Sequence, residues 1–296
     1  MVDTSGQADI RGLDIQKLAV AYEDEARIFK KYVNVSNTPN REIRWFFKTA
    51  GILDSTDTTG ITASQIYNTA ELAQPVVVEQ SWTRNTSYIK KYFVESPWIP
   101  EEDIKDSDVQ VFSENLRDLV TAVENQEDAR IYSVMSEGQS VVNINTNATA
   151  AAWNTASYTS VNIIEDLMEA KQNIRVNSRI SPEGAILFLN SLQHRSMMNW
   201  LIDGKGSSIP QFASQRVVDG IVMEILGLRV VISENVVADS CPVVVPDLAV
   251  QLKVFMPITT AVKIDEGIGR KIRVWTESEA ILIRPKAVNL ITNTDA

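Results

Sequence analysis

Apolar residues at three- and four-residue spacing open the chain. Ile15, Leu18, Ala19, Tyr22, Ala26 and Phe29 predict a helix over Leu13–Val33. Its acids lie mid-segment and its lysines at the end, as the helix dipole favours. Asn34–Asn40, with Pro39, predicts a break. Residues 61–112 then show no helical period. Within them Pro75–Pro97 places strand formers (Val76–Val78, Tyr88, Ile89, Tyr92, Phe93) around a polar centre at Thr83–Ser87, which predicts an extended hairpin. The clearest helix follows at Ser113–Gly138, with Ser113 as N-cap and Gly138 as stop. Leu116, Leu119, Val120, Val123, Ile131, Val134 and Met135 form its stripe. At ~1.5 Å per residue such a helix runs roughly 37 Å, enough to be a spine of the molecule.

Beyond the spine, residues 139–159 lack a pattern and predict a loop. A helix is expected at Val161–Asn177, a buried strand at Gly184–Asn190 and a further helix at Ser191–Ile202. Gly220–Val236 and Cys241–Met256 read as strand pairs turning at Gly227 and at Pro246–Asp247. The tail predicts two hairpins, with turns at Glu266–Gly269 and Glu277–Glu279. The expected class is α+β, a mixed sheet covered by helices.

Charge narrows the function. The chain carries a net −10 without one strong basic patch, so gripping nucleic acid through its phosphates is not expected. An acidic wall can still enclose DNA, because like charges keep the genome from sticking. Cys241 is the single cysteine, which excludes an intrachain disulfide. No run of eighteen apolar residues predicts a membrane span, and the polar start predicts no secretion.

Catalytic signals are sparse. His194 is the only histidine and lies on a predicted helix, so a solvated or packed side chain is expected. Gly204-Lys205-Gly206-Ser207-Ser208 looks like a phosphate loop, but Asn199 stands where that motif needs its first glycine. Gly267-Ile268-Gly269 lacks a third glycine and a following helix, so it reads as a turn. Asp54 and Asp57 lack the spaced ligands of a calcium loop. No cofactor, metal site or catalytic set is expected.

From Ser113 onward the order of elements resembles the Hong Kong 97-type major capsid family of tailed double-stranded-DNA viruses. The stretches Gly220–Asp239 and Val254–Thr294, above all Arg270–Trp275 and Pro285–Val288, are similar to the family's axial-domain and C-terminal stretches. The resemblance implies an N-terminal arm at 1–61 and an extended hairpin, the E-loop, at 62–112. It implies a peripheral (P) domain with the spine helix at 113–160, an axial (A) domain at 161–250, and closing strands at 251–296. It also implies a non-enzymatic subunit that assembles as pentamers and hexamers into an icosahedral virion capsid. That shell would form in the host cytoplasm around double-stranded DNA bound without sequence specificity. Partners would be a portal, a separate scaffold or protease, and in some capsids a decoration protein, with no membrane. No long charged segment precedes the arm, so a built-in scaffolding extension is not expected. The alternative is an encapsulin-like nanocompartment enclosing a cargo enzyme, kept open by the helix Leu13–Val33. A soluble enzyme ranks below both for want of convergent catalytic groups.

Candidate contact residues follow from charge. Arg41 and Arg44, with Lys48, lie in the arm, and Arg84, Lys90 and Lys91 lie in the hairpin. Glu101, Glu102, Asp103, Asp106 and Asp108 form an acidic patch ahead of the spine. Basic residues of one subunit are expected to meet the acidic patch of the next. Lys90 and Lys91 lie in the hairpin, where the resemblance would allow acyl acceptors for crosslinking as in some family members, but no motif here singles out a partner, and they read as plain surface lysines. Gly227 is expected in a tight turn, where glycine admits positive φ at no steric cost.

Overall fold

The computed structural model describes residues 12–50, 81–100, 109–137, 144–155, 161–201, 224–265 and 267–295. The chain divides into two compact units, one of Met1–Pro39 with Ile89–Ala296 and one of Asn40–Tyr88.

The larger unit holds two sheets. In the first, strand β1 (Asn34–Asn37) pairs with β11 (Val250–Asp265), β11 with β12 (Gly269–Leu282), and β12 with both β4 (Lys90–Glu95) and the short β5 (Ile99–Pro100). The second is six-stranded, in the order β6 (Asn145–Ala148), β13 (Val288–Thr292), β10 (Ser240–Val244), β7 (Ile186–Leu189), β9 (Leu228–Ile232) and β8 (Glu224–Ile225). Helix α1 (Gly12–Ala26) and the long helix α2 (Val109–Glu137) pack on the first sheet, while α3 (Ile163–Ser178) and α4 (Ser191–Asn199) accompany the second. Helix α2 joins the two cores. Its first half puts Phe112, Leu116, Val120 and Val123 into the core of the first sheet. Its second half puts Ile131, Tyr132, Val134 and Met135 into the core of the second.

The described residues of the smaller unit form a two-stranded antiparallel ribbon. Strand β2 (Glu42–Ala50) pairs with β3 (Ser81–Tyr88), from Glu42 opposite Tyr88 to Ala50 opposite Ser81.

Several expectations change. The spine helix begins at Val109, so Ser113 lies inside it and is no N-cap; buried Phe112 extends the apolar stripe by one turn. The first helix stops at Ala26 and continues as a 3-10 turn at Phe29–Tyr32. Its break is made by Asp128, whose carboxylate accepts the backbone N–H groups of Ile28 at 2.9 Å and Phe29 at 3.3 Å. The predicted break after it contains strand β1, parallel to residues 251–254. The polar centre Thr83–Ser87 is the interior of β3, paired not with residues 89–97 but with β2, so residues expected in the arm form one side of the ribbon. The unpatterned loop contains β6, whose asparagines are buried against α3. Asn147 donates to the Asp166 carbonyl at 3.2 Å, and Asn177 donates to Asn145 at 2.9 Å. Glu277–Glu279 is no turn but the middle of β12. Of the turn expected at Glu266–Gly269, the described residues Gly267 and Ile268 do turn between β11 and β12, with Gly267 at φ 80°. Pro257, which has no N–H, sits where the β11–β12 register slips.

Candidate functional site

Three places carry the chemistry that the fold exposes or buries without an apolar reason. The first is the β2–β3 ribbon. Alternation sends Glu42, Arg44 and Phe46 to one face with Arg84, Thr86 and Tyr88. That face is open: Phe46 is 60%, Trp82 57% and Tyr88 67% exposed. Ile43 and Trp45, on the other face, are buried. Four bases (Arg41, Arg44, Lys48, Arg84) stand against one acid, Glu42, in these two strands and the residue before them. Arg44 grips Glu42 in bidentate fashion, Nε to Oε1 and Nη2 to Oε2, both at 2.8 Å. These hydrogen bonds hold the Glu42 carboxyl below its usual range.

The second is a charged junction where α1, the 3-10 turn, α2 and β12 meet. Lys30 Nζ lies 2.6 Å from Glu23, 2.8 Å from Glu127 and 3.4 Å from Glu124. Burial pushes this ammonium down, but Glu127, Glu124 and Glu23 together outweigh it and raise its pKa. The other oxygen of Glu127 accepts the Ser278 hydroxyl. One residue along β12, Glu279 accepts Arg130 at 2.6 Å. The Tyr92 phenol beside them is pushed up by burial and then by Glu279 and Glu127. The charged side chains interrupt the stripe of α2 without leaving its buried face, since Glu124, Glu127 and Asp128 follow Val120 and Val123 at helical spacing.

The third is the edge of the six-stranded sheet. Leu226 (φ 52°) and Gly227 (φ 74°) form a two-residue turn between β8 and β9. Positive φ at both positions defines a type I′ hairpin, which matches the strand twist. The Lys171 ammonium from α3 donates to the Leu226 carbonyl at 2.7 Å and fixes the turn to the helix.

The candidate contact residues fall in different places. Arg44 and Arg84 come together on one face of the ribbon, with Arg41 just ahead of it. Lys90 and Lys91 belong to β4 in the other unit, and both are exposed. Lys91 lies 3.9 Å from Glu277 of its own sheet and over the rings of Phe93 and Trp275. Glu101, Glu102, Asp103, Asp106 and Asp108 lie outside the described residues, as do Asp54, Asp57 and Gly204–Ser208. His194 is packed, and burial lowers its pKa. Cys241 is fully buried in β10, and burial pushes its thiol up. Among the described residues no cluster suited to a metal ion occurs and no helix is long and apolar enough to cross a membrane.

A two-stranded ribbon in a unit of its own, a spine helix and a six-stranded mixed sheet make up a Hong Kong 97-type fold. Solved structures agree. The capsid of cyanophage P-SCSP1u is similar at TM-score 0.65 and 10% identity, over 100% of this chain and 93% of that one. The mature capsid of bacteriophage PhiM1 gives 0.63 and 10%, over 99% and 89%. A virus-like particle from Pyrococcus furiosus gives 0.60 and 11%, over 94% and 98%. No curated protein matches the sequence. A family model described as phage capsid protein matches residues 98–288, well over half of the chain. The chain belongs to that family: it is a capsid protein that associates with copies of itself into a shell, and the match favours this over a cargo compartment.

Proposed function

We propose that the chain tiles an icosahedral shell as pentamers and hexamers around double-stranded DNA, acting by assembly and without catalytic turnover. In this reading the six-stranded sheet is the A domain at the capsomer centre, and α2 with the first sheet is the P domain. The Asn40–Tyr88 ribbon is the E-loop, which reaches a neighbouring subunit. The shell forms in the host cytoplasm with a portal and a separate scaffold or protease, and carries the genome behind an acidic wall that does not read sequence.

The observation that carries the reading is the open face of the ribbon. An isolated two-stranded ribbon is marginal in water, and large aromatics are found at the centres of protein interfaces. Phe46, Trp82 and Tyr88, flanked by Arg44 and Arg84, suit a partner that is apolar and acidic. The chain outside the ribbon strands is strongly acidic, so a second copy meets that description. The acidic patch of Glu101, Glu102, Asp103, Asp106 and Asp108 is the proposed counterpart of Arg41, Arg44, Arg84, Lys90 and Lys91.

Charge reversal tests this. Arg84→Glu with Arg44→Glu should abolish closed particles while leaving the subunit folded, and Glu101→Lys with Glu102→Lys should restore them. Particles unaffected by the first pair would reject the contact. Nuclease-resistant double-stranded DNA in particles from infected cells would support the genome assignment, and a protein cargo in its place would overturn it.

A further inference from the structure

At the junction under α2, three carboxylates share one ammonium. Lys30 has three N–H donors, and Glu23, Glu127 and Glu124 take them at 2.6, 2.8 and 3.4 Å. The three acids are not equivalent. Glu127 has a second donor in Ser278. Glu23 lies at the rim, with a partly exposed side chain. Glu124 has the longest contact, its side chain is 0% exposed, and its Oε2 is buried with no hydrogen-bond partner. A carboxylate oxygen in that position is a place for a proton and not for a charge.

We propose that this junction is a proton-gated clamp: while Glu124 keeps its proton it holds α1 against α2, and when Glu124 ionises it lets α1 go. The inference rests on the fold alone and does not depend on the shell reading.

The groups facing Glu124 decide the direction. Helix α1 brings Glu23, the 3-10 turn brings Lys30, and α2 itself brings Glu127 and Asp128. Strand β12 brings Ser278 and the Arg130–Glu279 pair, which is neutral as a unit, and β4 brings the Tyr92 phenol. Burial is the largest influence and raises Glu124; Lys30 opposes it, while Glu127, Glu23 and Asp128 add to it, leaving Glu124 at about 8. A carboxyl raised in the closed state stabilises that state fully below its ordinary 4.5. The advantage is lost as pH rises toward 8 and is gone above it.

The segment that yields is α1, which carries Glu23. The turn after it stays in place: Asp128 holds its backbone at Ile28 and Phe29, and Phe29 stacks on Phe188 of β7 in the core of the six-stranded sheet. Beyond the junction, α1 is fixed by buried Ala19, by Tyr22, which packs on the first core beneath Arg117, and by Gln16, which bonds Ile258 and Thr260 of β11; Leu18 and Val20 are exposed.

Hydrogen–deuterium exchange of the full chain at pH 6.5 and 9, corrected for the intrinsic rate, tests the clamp. Protection over α1, Gly12–Ala26, should fall about 30-fold, the linkage for a carboxyl moving from about 8 when closed to 4.5 when open. Protection in β10 and β13 should hold. Glu124→Gln keeps a neutral side chain of the same shape at every pH and should abolish the fall. If that variant does not fold, the pH profile of tryptic cleavage after Arg27 in the unaltered chain replaces it, each rate divided by that for an unstructured peptide with the same site at the same pH, with the ratio rising up to about pH 8 and then levelling off. Equal loosening in Glu124→Gln, a flat profile in the unaltered chain, or a fall shared by β10 and β13 overturns the clamp. Counting particles by electron microscopy at the same two pH values reports on the shell reading separately.

Discussion

Helix α2 passes through two interiors of opposite character. Toward its C-terminus it packs Ile131, Val134 and Met135 into a core with Phe29, Phe188, Trp153 and Trp200, where Phe29 and Phe188 stack at 4.4 Å. One to two turns earlier, the same helix buries Glu124, Glu127 and Asp128 as completely. In the first region burial itself stabilises, at about 25 cal/mol per Å² of apolar surface. In the second, burial opposes the charged forms, and only the placement of Lys30, Ser278 and the backbone N–H groups offsets it. The first interior contains no group whose charge opposes its burial, whereas the second depends on which of its carboxyl groups carry a proton.

The largest effect expected from testing this contrast is in the apolar region. Phe188→Ala should lower unfolding stability by about 3–5 kcal/mol, equally at pH 6.5 and 9, in denaturant titrations of unassembled subunits. A pH-dependent loss there would blur the distinction. Next is Lys30→Met, which leaves buried Glu124 and Glu127, and Glu23 at the rim, without their cation. It should cost about 3 kcal/mol at pH 7, and Glu124→Gln with Glu127→Gln in the same chain should recover most of that. A smaller effect belongs to the sheet edge. Gly227→Val forces a β-branched residue to φ 74° and should cost about 1–2 kcal/mol in thermal unfolding, with normal particle yield counting against the turn's importance. The smallest is Lys91→Ala. Lys91 is exposed and 3.9 Å from Glu277, so subunit stability should shift by under about 1 kcal/mol whatever happens to assembly.

The two interiors also differ in how far sequence reveals them. The apolar half of α2, the strand Ile186–Leu189 and the hairpin at Gly227 follow from periodicity and a glycine, because packing there obeys the same rule at every position. The charged half does not follow. Glu124 and Glu127 lie on the stripe, but a lone sequence offers no sign that Lys30, 94 and 97 residues away, will meet them. Lys30 reads as a lysine suited to a helix end, and Glu277–Glu279 as a turn, because three polar residues in a row normally seek water. Edge strands are equally hidden: Asn34–Asn37 and Asn145–Ala148 pair through their backbones, and asparagine, which disfavours strands, makes up half of each. In the ribbon the charges were legible and their company was not. Arg44 and Arg84 share a face only because β2 pairs with a strand more than thirty residues later.

Cryo-electron microscopy of the purified full-length protein tests the central claim most directly. The account predicts closed shells whose subunits place the six-stranded sheet at capsomer centres and the Asn40–Tyr88 ribbon over a neighbouring copy. A homogeneous folded monomer at micromolar concentration, with that ribbon ordered and packed on its own chain, would contradict it.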